Sequence, residues 1–140
     1  MSSWAADRGC ATVDPENIGL IAAAEAARHH LRSLGVARMA VIHADLPCPG
    51  GLPELIMAKG SIIVPDLRGD GTNVLAIPVD STLTFSYGRG SFRRHLAGMA
   101  ADHHVRSISV LHDPLLGLDI DTVEDLHHPV IAPLIEEVIA

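Results

Sequence analysis

A chain of 140 residues, 48% hydrophobic, can bury one core but not two. Its formal charge of −7, without a basic run or interleaved aromatic and basic residues, excludes non-specific nucleic-acid binding. No apolar stretch approaches the roughly 20 residues of a membrane span and the N-terminus lacks signal-peptide features, so a cytoplasmic location is expected. Cys10 and Cys48 form neither a disulfide framework nor a metal spacing, which fits a reducing compartment. Aromatics are limited to Trp4, Phe85, Tyr87 and Phe92, so Val, Ile, Leu and Ala must fill the interior.

Strand-like and helix-like patterns alternate along the chain. An Ala-rich helix is predicted over Asn17 to Leu34, with Asp14 as cap, Pro15 in the first turn and Gly35 as stop. A buried strand follows (Arg38 to His43), then a short helix (Leu52 to Ala58) and a strand (Ser61 to Val64). The polar loop Pro65 to Thr72 leads to a strand (Asn73 to Ile77) and a further extended piece (Thr82 to Phe85). A helix is predicted from Ser91 to about Ala101, with Ser91 as N-cap, and a strand from Val105 to Leu111. A short helix capped by Thr122 and a helical tail from Pro129 to Ala140 complete an α/β layer sandwich.

Four segments carry candidate chemistry. The run Met39-Ala40-Val41-Ile42 ends on His43-Ala44-Asp45-Leu46-Pro47, which delivers a carboxylate to a strand's C-terminal edge, where ligands bind in open α/β sheets. A second acidic cluster, Asp119-Ile120-Asp121, follows the Val105 to Leu111 segment, and together these acids could cage a hard cation such as magnesium. The loop Asp66 to Asn73 suits a phosphate or carboxylate, or is a hairpin loop of ordinary turn residues. The segment Tyr87-Gly88-Arg89-Gly90-Ser91 opens a helix whose N-terminus could hold an anion, or is a capped surface helix with a basic first turn. The adjacent pairs His29-His30, His103-His104 and His127-His128 read as solvated helix ends, because neighbours on a helix diverge by about 100°.

Taken in order, the acid-Leu-Pro piece at Asp45, the Gly71-Thr72 loop, Gly88 to Ser91, and Leu118-Asp119-Ile120-Asp121-Thr122 to Leu126 resemble one family. That family is the 2-phospholactate or phosphoenolpyruvate guanylyltransferases of deazaflavin coenzyme biosynthesis. The likeness covers residues 17–126, with 127–140 as a C-terminal helical tail of one partial nucleotidyltransferase domain. It implies a nucleotide-diphospho-sugar transferase-like (Rossmann-like) three-layer sandwich with a mixed sheet. It also implies transfer of GMP from GTP to phosphoenolpyruvate or 2-phospholactate, with release of pyrophosphate. By the same resemblance, Asp45, Asp119 and Asp121 are the catalytic magnesium ligands, and Thr72, Gly88 and Ser91 bind the phosphorylated acid.

The family pattern opens with an apolar strand and a Lys-bearing loop that grips the triphosphate. Only 16 residues precede the matched region here, so an N-terminally truncated enzyme is expected. A second copy or a complementing N-terminal fragment is then the expected partner, and an exposed apolar patch beside the Met39 to His43 strand the expected consequence. Two further positions depart from the pattern: Ile21 replaces a polar nucleotide contact, and Asp70 stands where a small hydroxyl residue is common. The competing reading is a non-catalytic remnant that serves as a binding or interaction module.

Overall fold

The computed structural model describes residues 2–15 and 18–139. Four strands, β1 (Arg38–Ile42), β2 (Ser61–Pro65), β3 (Thr72–Pro78) and β4 (Ile108–Val110), form one sheet in the order β1-β3-β2-β4. β3 runs antiparallel to β1 and β2, whereas β4 runs parallel to β2, so the sheet is mixed as expected. Five helices accompany it: α1 (Ser2–Ala6), α2 (Leu20–Ser33), α3 (Leu52–Met57), α4 (Ser91–Ala101) and α5 (Ala132–Ile139).

Period-two alternation splits the core between the two faces of the sheet. Met39, Ile63, Leu75 and Ile77 pack with Ala24 of α2 and with Leu83, Phe85 and Met99. Ile62, Val64, Val74 and Ala76 pack on the opposite face with Leu46, Leu55 of α3 and Leu116. β2 and β3 are buried almost throughout because both faces are covered. β1 is not the buried strand expected from its composition. It lies at the sheet edge, half-buried, with Ile42 exposed. Among the described residues no helix is long and apolar enough to cross a membrane.

Several sequence expectations need correction. Asp14 and Pro15 do not start the first long helix, and residues 16 and 17 of the expected span lie outside the described residues. α2 begins at Leu20 because Gly19 is extended at φ 120°, which a helix cannot run through. It ends as expected: Val36 N–H donates to Leu31 O at 3.3 Å and Gly35 N–H to Arg32 O at 3.0 Å, the paired bonds of a Schellman turn. The Val105 to Leu111 strand shrinks to three residues, and α1 was not anticipated. Val123, not Thr122, precedes the 3-10 turn Glu124–His127; the Thr122 hydroxyl instead donates to Asp125 Oδ2 at 2.9 Å.

The further extended piece expected at Thr82 to Phe85 pairs with no strand among the described residues, for a definite reason. Side chains take the backbone groups that a neighbouring strand would have used. Arg28 on α2 donates to Ser81 O at 3.2 Å and Leu83 O at 2.8 Å, and Arg32 donates to Val79 O at 2.9 Å. On the other side, Thr82 N–H donates to Asp102 Oδ2 at 2.8 Å and Ser86 N–H to His95 Nε2 at 2.9 Å. The buried Arg28 guanidinium also stacks on Phe85, 4.0 Å from its ring centroid. This strap of chain leads directly into Gly88.

Candidate active site

The C-terminal end of β1, the segment Asp119 to Asp121, the β2–β3 hairpin loop and the start of α4 converge on a cleft of about 430 Å³. Asp45, Thr72, Gly88, Ser91, Asp119 and Asp121 all line it, joined by His43, Asp66, Asp70 and Arg89.

Main-chain hydrogen bonds hold these pieces in place. Ile120 N–H donates to Asp45 O at 3.2 Å, which docks the second acidic segment on the end of β1. Leu67 N–H donates to Gly117 O at 2.9 Å, and Phe92 N–H donates to Asp70 O at 3.1 Å. The hairpin loop is therefore tied to the acidic segment on one side and to α4 on the other. Inside the loop, the Asp66 carboxylate accepts from Asp70 N–H and Gly71 N–H, both at 2.8 Å. A Cβ at position 71 would come 2.8 Å from Asp66 Oδ2, so a side chain there would push the carboxylate against its two N–H donors. The two readings of the segment merge: it is a hairpin loop, and it lines the cleft. Asn73, which the sequence offered as a ligand donor, is buried and gives its amide N–H to Leu116 O at 3.1 Å.

Ser91 is not the helix N-cap. Gly90 occupies that position, and Ser91 is the first helical residue. Its hydroxyl, freed from capping, donates to Thr72 Oγ1 at 3.2 Å. One turn later on the same helix face, His95 Nδ1 lies 3.1 Å from Thr72 Oγ1. His95 is fully buried, and its imidazole pKa is pushed down to about 4 by burial, with the Arg94 and His43 charges adding to the effect. It is neutral at physiological pH. Sequence reasoning did not select His95 as a site residue, although the four-residue spacing from Ser91 would have placed both on one face. Tyr87 packs between this ring and His43, with centroid distances of 4.8 and 5.2 Å. Burial pushes its phenol pKa upward. Gly88 has φ 98°, and a Cβ there would meet nothing within 4 Å, so any side chain would project into open space beside the cleft.

The acidic side differs in kind. Asp45 and Asp121 are exposed and Asp119 is half-buried. The Asp119 pKa is raised, first by burial and then by the charges of Asp121, Asp66 and Asp45, against a backbone hydrogen bond that lowers it. Carboxylates crowded in this way offer only oxygen donors, which suits a hard divalent cation. Among the described residues, a trio of ligand-type atoms within 4.8 Å of one another occurs at Asp102, His103 and His104 rather than among these acids. That trio is a helix end whose Asp102 oxygens already accept from Ser81 Oγ, Thr82 N–H and His104 N–H. Arg68 is drawn 3.7 Å from Asp125, the residue that also accepts from Asp121 and Thr122 N–H.

No family model matches the chain. It is 34% identical over 124 residues to a phosphoenolpyruvate guanylyltransferase of Rubrobacter xylanophilus, covering 84% of this chain and 60% of that protein. It is 32% identical over 120 residues to one of Conexibacter woesei, covering 81% of this chain and 53% of the relative. It is 34% identical over 112 residues to one of Chloroflexus aurantiacus, covering 76% and 54%. The chain thus spans between half and two thirds of the length of the curated relatives it matches.

Proposed function

We propose, from the premise that this chain is a homologue of the phosphoenolpyruvate guanylyltransferases over most of its length, that its cleft serves guanylyl transfer from GTP to a phosphorylated three-carbon acid, phosphoenolpyruvate or 2-phospholactate. The observation that carries the reading is the convergence of six residues, scattered over 77 positions of sequence from Asp45 to Asp121, on one cleft. The fold would be of the nucleotide-diphospho-sugar transferase kind, working in the cytoplasm.

In this reading Thr72 and Ser91 donate to the phosphate or carboxylate of the acceptor, and Gly88 leaves room for its close approach. The acceptor's phosphate oxygen attacks the α-phosphorus of GTP. A new P–O–P bond forms as the bond to the pyrophosphate oxygen breaks, and the leaving electron pair goes out with pyrophosphate. Asp45, Asp119 and Asp121 would hold magnesium, which when bound neutralises phosphate charge. No protein nucleophile is required, and the chain's contribution is to orient the two substrates and to match their charge.

A second reading, a binding module that takes the phospho-acid without transfer, is favoured by Ile21. This residue replaces the polar nucleotide contact of the family pattern and is exposed at 44%. The two readings separate in one experiment. Phosphoenolpyruvate and magnesium are titrated calorimetrically, and pyrophosphate release is then followed after GTP is added. Binding with release supports the enzyme, binding without release supports the module, and absence of binding removes both.

A further inference from the structure

The hydroxyl pair Thr72 and Ser91 does not by itself determine whether the cleft floor presents protons or lone pairs. That is decided one layer deeper. The backbone N–H of Ser86 donates to His95 Nε2 at 2.9 Å, and a main-chain N–H can only donate. Nε2 is therefore the lone-pair nitrogen, and the neutral ring carries its proton on Nδ1. Nδ1 faces Thr72 Oγ1 at 3.1 Å and must donate to it.

Counting protons gives the consequence. With Nδ1–H, the network of His95, Thr72 and Ser91 holds three hydrogens and makes two internal bonds. One hydroxyl hydrogen remains for a ligand. With the opposite tautomer there would be two hydrogens for the same two bonds and none left over, so the floor would present lone pairs and repel an oxyanion. Thr72 and Ser91 both line the cleft, so the spare hydrogen belongs to a residue of its lining whichever of them carries it.

We propose that His95 is a positioning residue: its tautomer, fixed by the Ser86 main chain, makes the Thr72–Ser91 pair a net hydrogen donor and so selects an anionic oxygen ligand at this end of the cleft. The identity of that oxyanion as the acceptor's phosphate or carboxylate rests on the function proposed above. The donor polarity itself does not.

The test separates the two roles of the ring by substitution in the full 140-residue chain. His95→Asn keeps an N–H at the δ position facing Thr72 but abandons Ser86. His95→Gln keeps an acceptor at the ε position for Ser86 but removes the donor to Thr72. Inorganic phosphate and phosphoenolpyruvate, each with magnesium, are titrated into all three proteins. The expected result is near wild-type affinity for His95→Asn, within about threefold, and a loss of about tenfold for His95→Gln, as for one hydrogen bond supporting a charged ligand. A purely structural role in holding Ser86 predicts the reverse order, and that order would overturn the proposal. A second readout does not depend on the variants folding. Long-range proton–nitrogen correlation spectra of the wild type should show His95 as the neutral Nδ1–H form at pH 7, and an Nε2–H ring overturns the proposal. If phosphate binds and phosphoenolpyruvate does not, the substrate reading fails while the His95 assignment is still judged by the two variants. If neither anion binds, the floor is no oxyanion site and the inference falls.

Discussion

The two sides of the cleft are built on opposite principles. Thr72, Ser91 and His95 are 2%, 1% and 0% exposed, and each makes at least one hydrogen bond to another member of the trio. Asp45, Asp119 and Asp121 stand in or near solvent, and Asp119 is held next to like charges that oppose its ionisation. The hydroxyl side is held in place by hydrogen bonds within the protein alone. The acidic side is a standing electrostatic conflict that a cation would relieve. Substitutions on the first side should therefore change ligand recognition, and on the second side they should trade function against stability.

The largest effect is expected on the acidic side. On the proposed function, Asp45→Asn and Asp119→Asn would each remove one charged oxygen ligand, and guanylyl transfer should fall on the order of 10²–10³-fold, as for loss of a principal charge-stabilising group. Initial rates of pyrophosphate release across a magnesium series measure this. Full activity in either variant would exclude that acid from the metal set and blur the distinction between the two sides.

On the hydroxyl side, Ser91→Ala should weaken phosphoenolpyruvate binding roughly tenfold to a hundredfold, because hydrogen bonds to charged groups contribute about 1.5–3 kcal/mol. Ser91 is not the N-cap, so no capping energy is lost with it, and thermal stability should fall by less than about 1 kcal/mol. Gly88→Val places a side chain at φ 98° and fills the open space in front of it, so binding should be lost. Calorimetry on both variants checks this pair, and unchanged wild-type-like binding in both would remove the acceptor assignment.

Asp102 extends the comparison to an acid outside the cleft that is structural. Burial alone would raise its pKa, but bonds from Ser81 Oγ, His104 N–H and Thr82 N–H outweigh burial and hold it at about 2. Its folded pKa lies below the ordinary value of 3.8, so its contribution is present above that value and is lost as pH falls toward 2. Asp102→Asn should cost about 2 kcal/mol at neutral pH, read by denaturant unfolding, and should flatten the acid limb of the stability profile. It should leave magnesium response unaltered. A magnesium response that vanished in Asp102→Asn would contradict the structural role.

How much of this was legible in the sequence follows from the range of the forces involved. The strands at Arg38, Ser61 and Asn73 and the helix from Ser91 were readable because apolar periodicity and breaker residues are local. The strap from Val79 to Ser86 was readable only as an extended piece, because its backbone partners are the side chains of Arg28, Arg32, His95 and Asp102, contributed by other elements. Ser91 looked like a cap from its neighbours alone, and only the tertiary meeting with Thr72 showed where its hydroxyl goes. The acids at Asp45, Asp119 and Asp121 were readable from their place after strand-like runs, and Thr72, Gly88 and Ser91 were given binding roles through a family pattern, whereas His95 and Asp66 were not singled out because they act through other residues. The edge position of β1 was hidden as well, since Met39 to Ile42 is as apolar as a central strand.

The smallest expected effect is also the one most specific to the contrast between the two sides. Asp119 has a folded pKa above the ordinary carboxylate value, so the folded protein binds more protons than the unfolded chain just above that value. Stability then decreases as pH rises through this window, and the cost is fully present at neutral pH. Asp119→Asn removes the ionisation without removing much volume. Its Tm in the absence of divalent ions should match or slightly exceed that of the wild type at pH 7, and the difference should shrink as the pH is lowered through the folded pKa. If the proposed function holds, magnesium binds the folded state at these acids and relieves the repulsion from Asp121, Asp66 and Asp45, so adding it should raise the wild-type Tm. The same addition should have little effect on the variant. Calorimetric scans at several pH values, with and without magnesium, give all of these comparisons. A variant that melts clearly below the wild type at neutral pH without magnesium would mean that Asp119 is a stabilising residue like Asp102, and that the acidic side is as self-sufficient as the hydroxyl side.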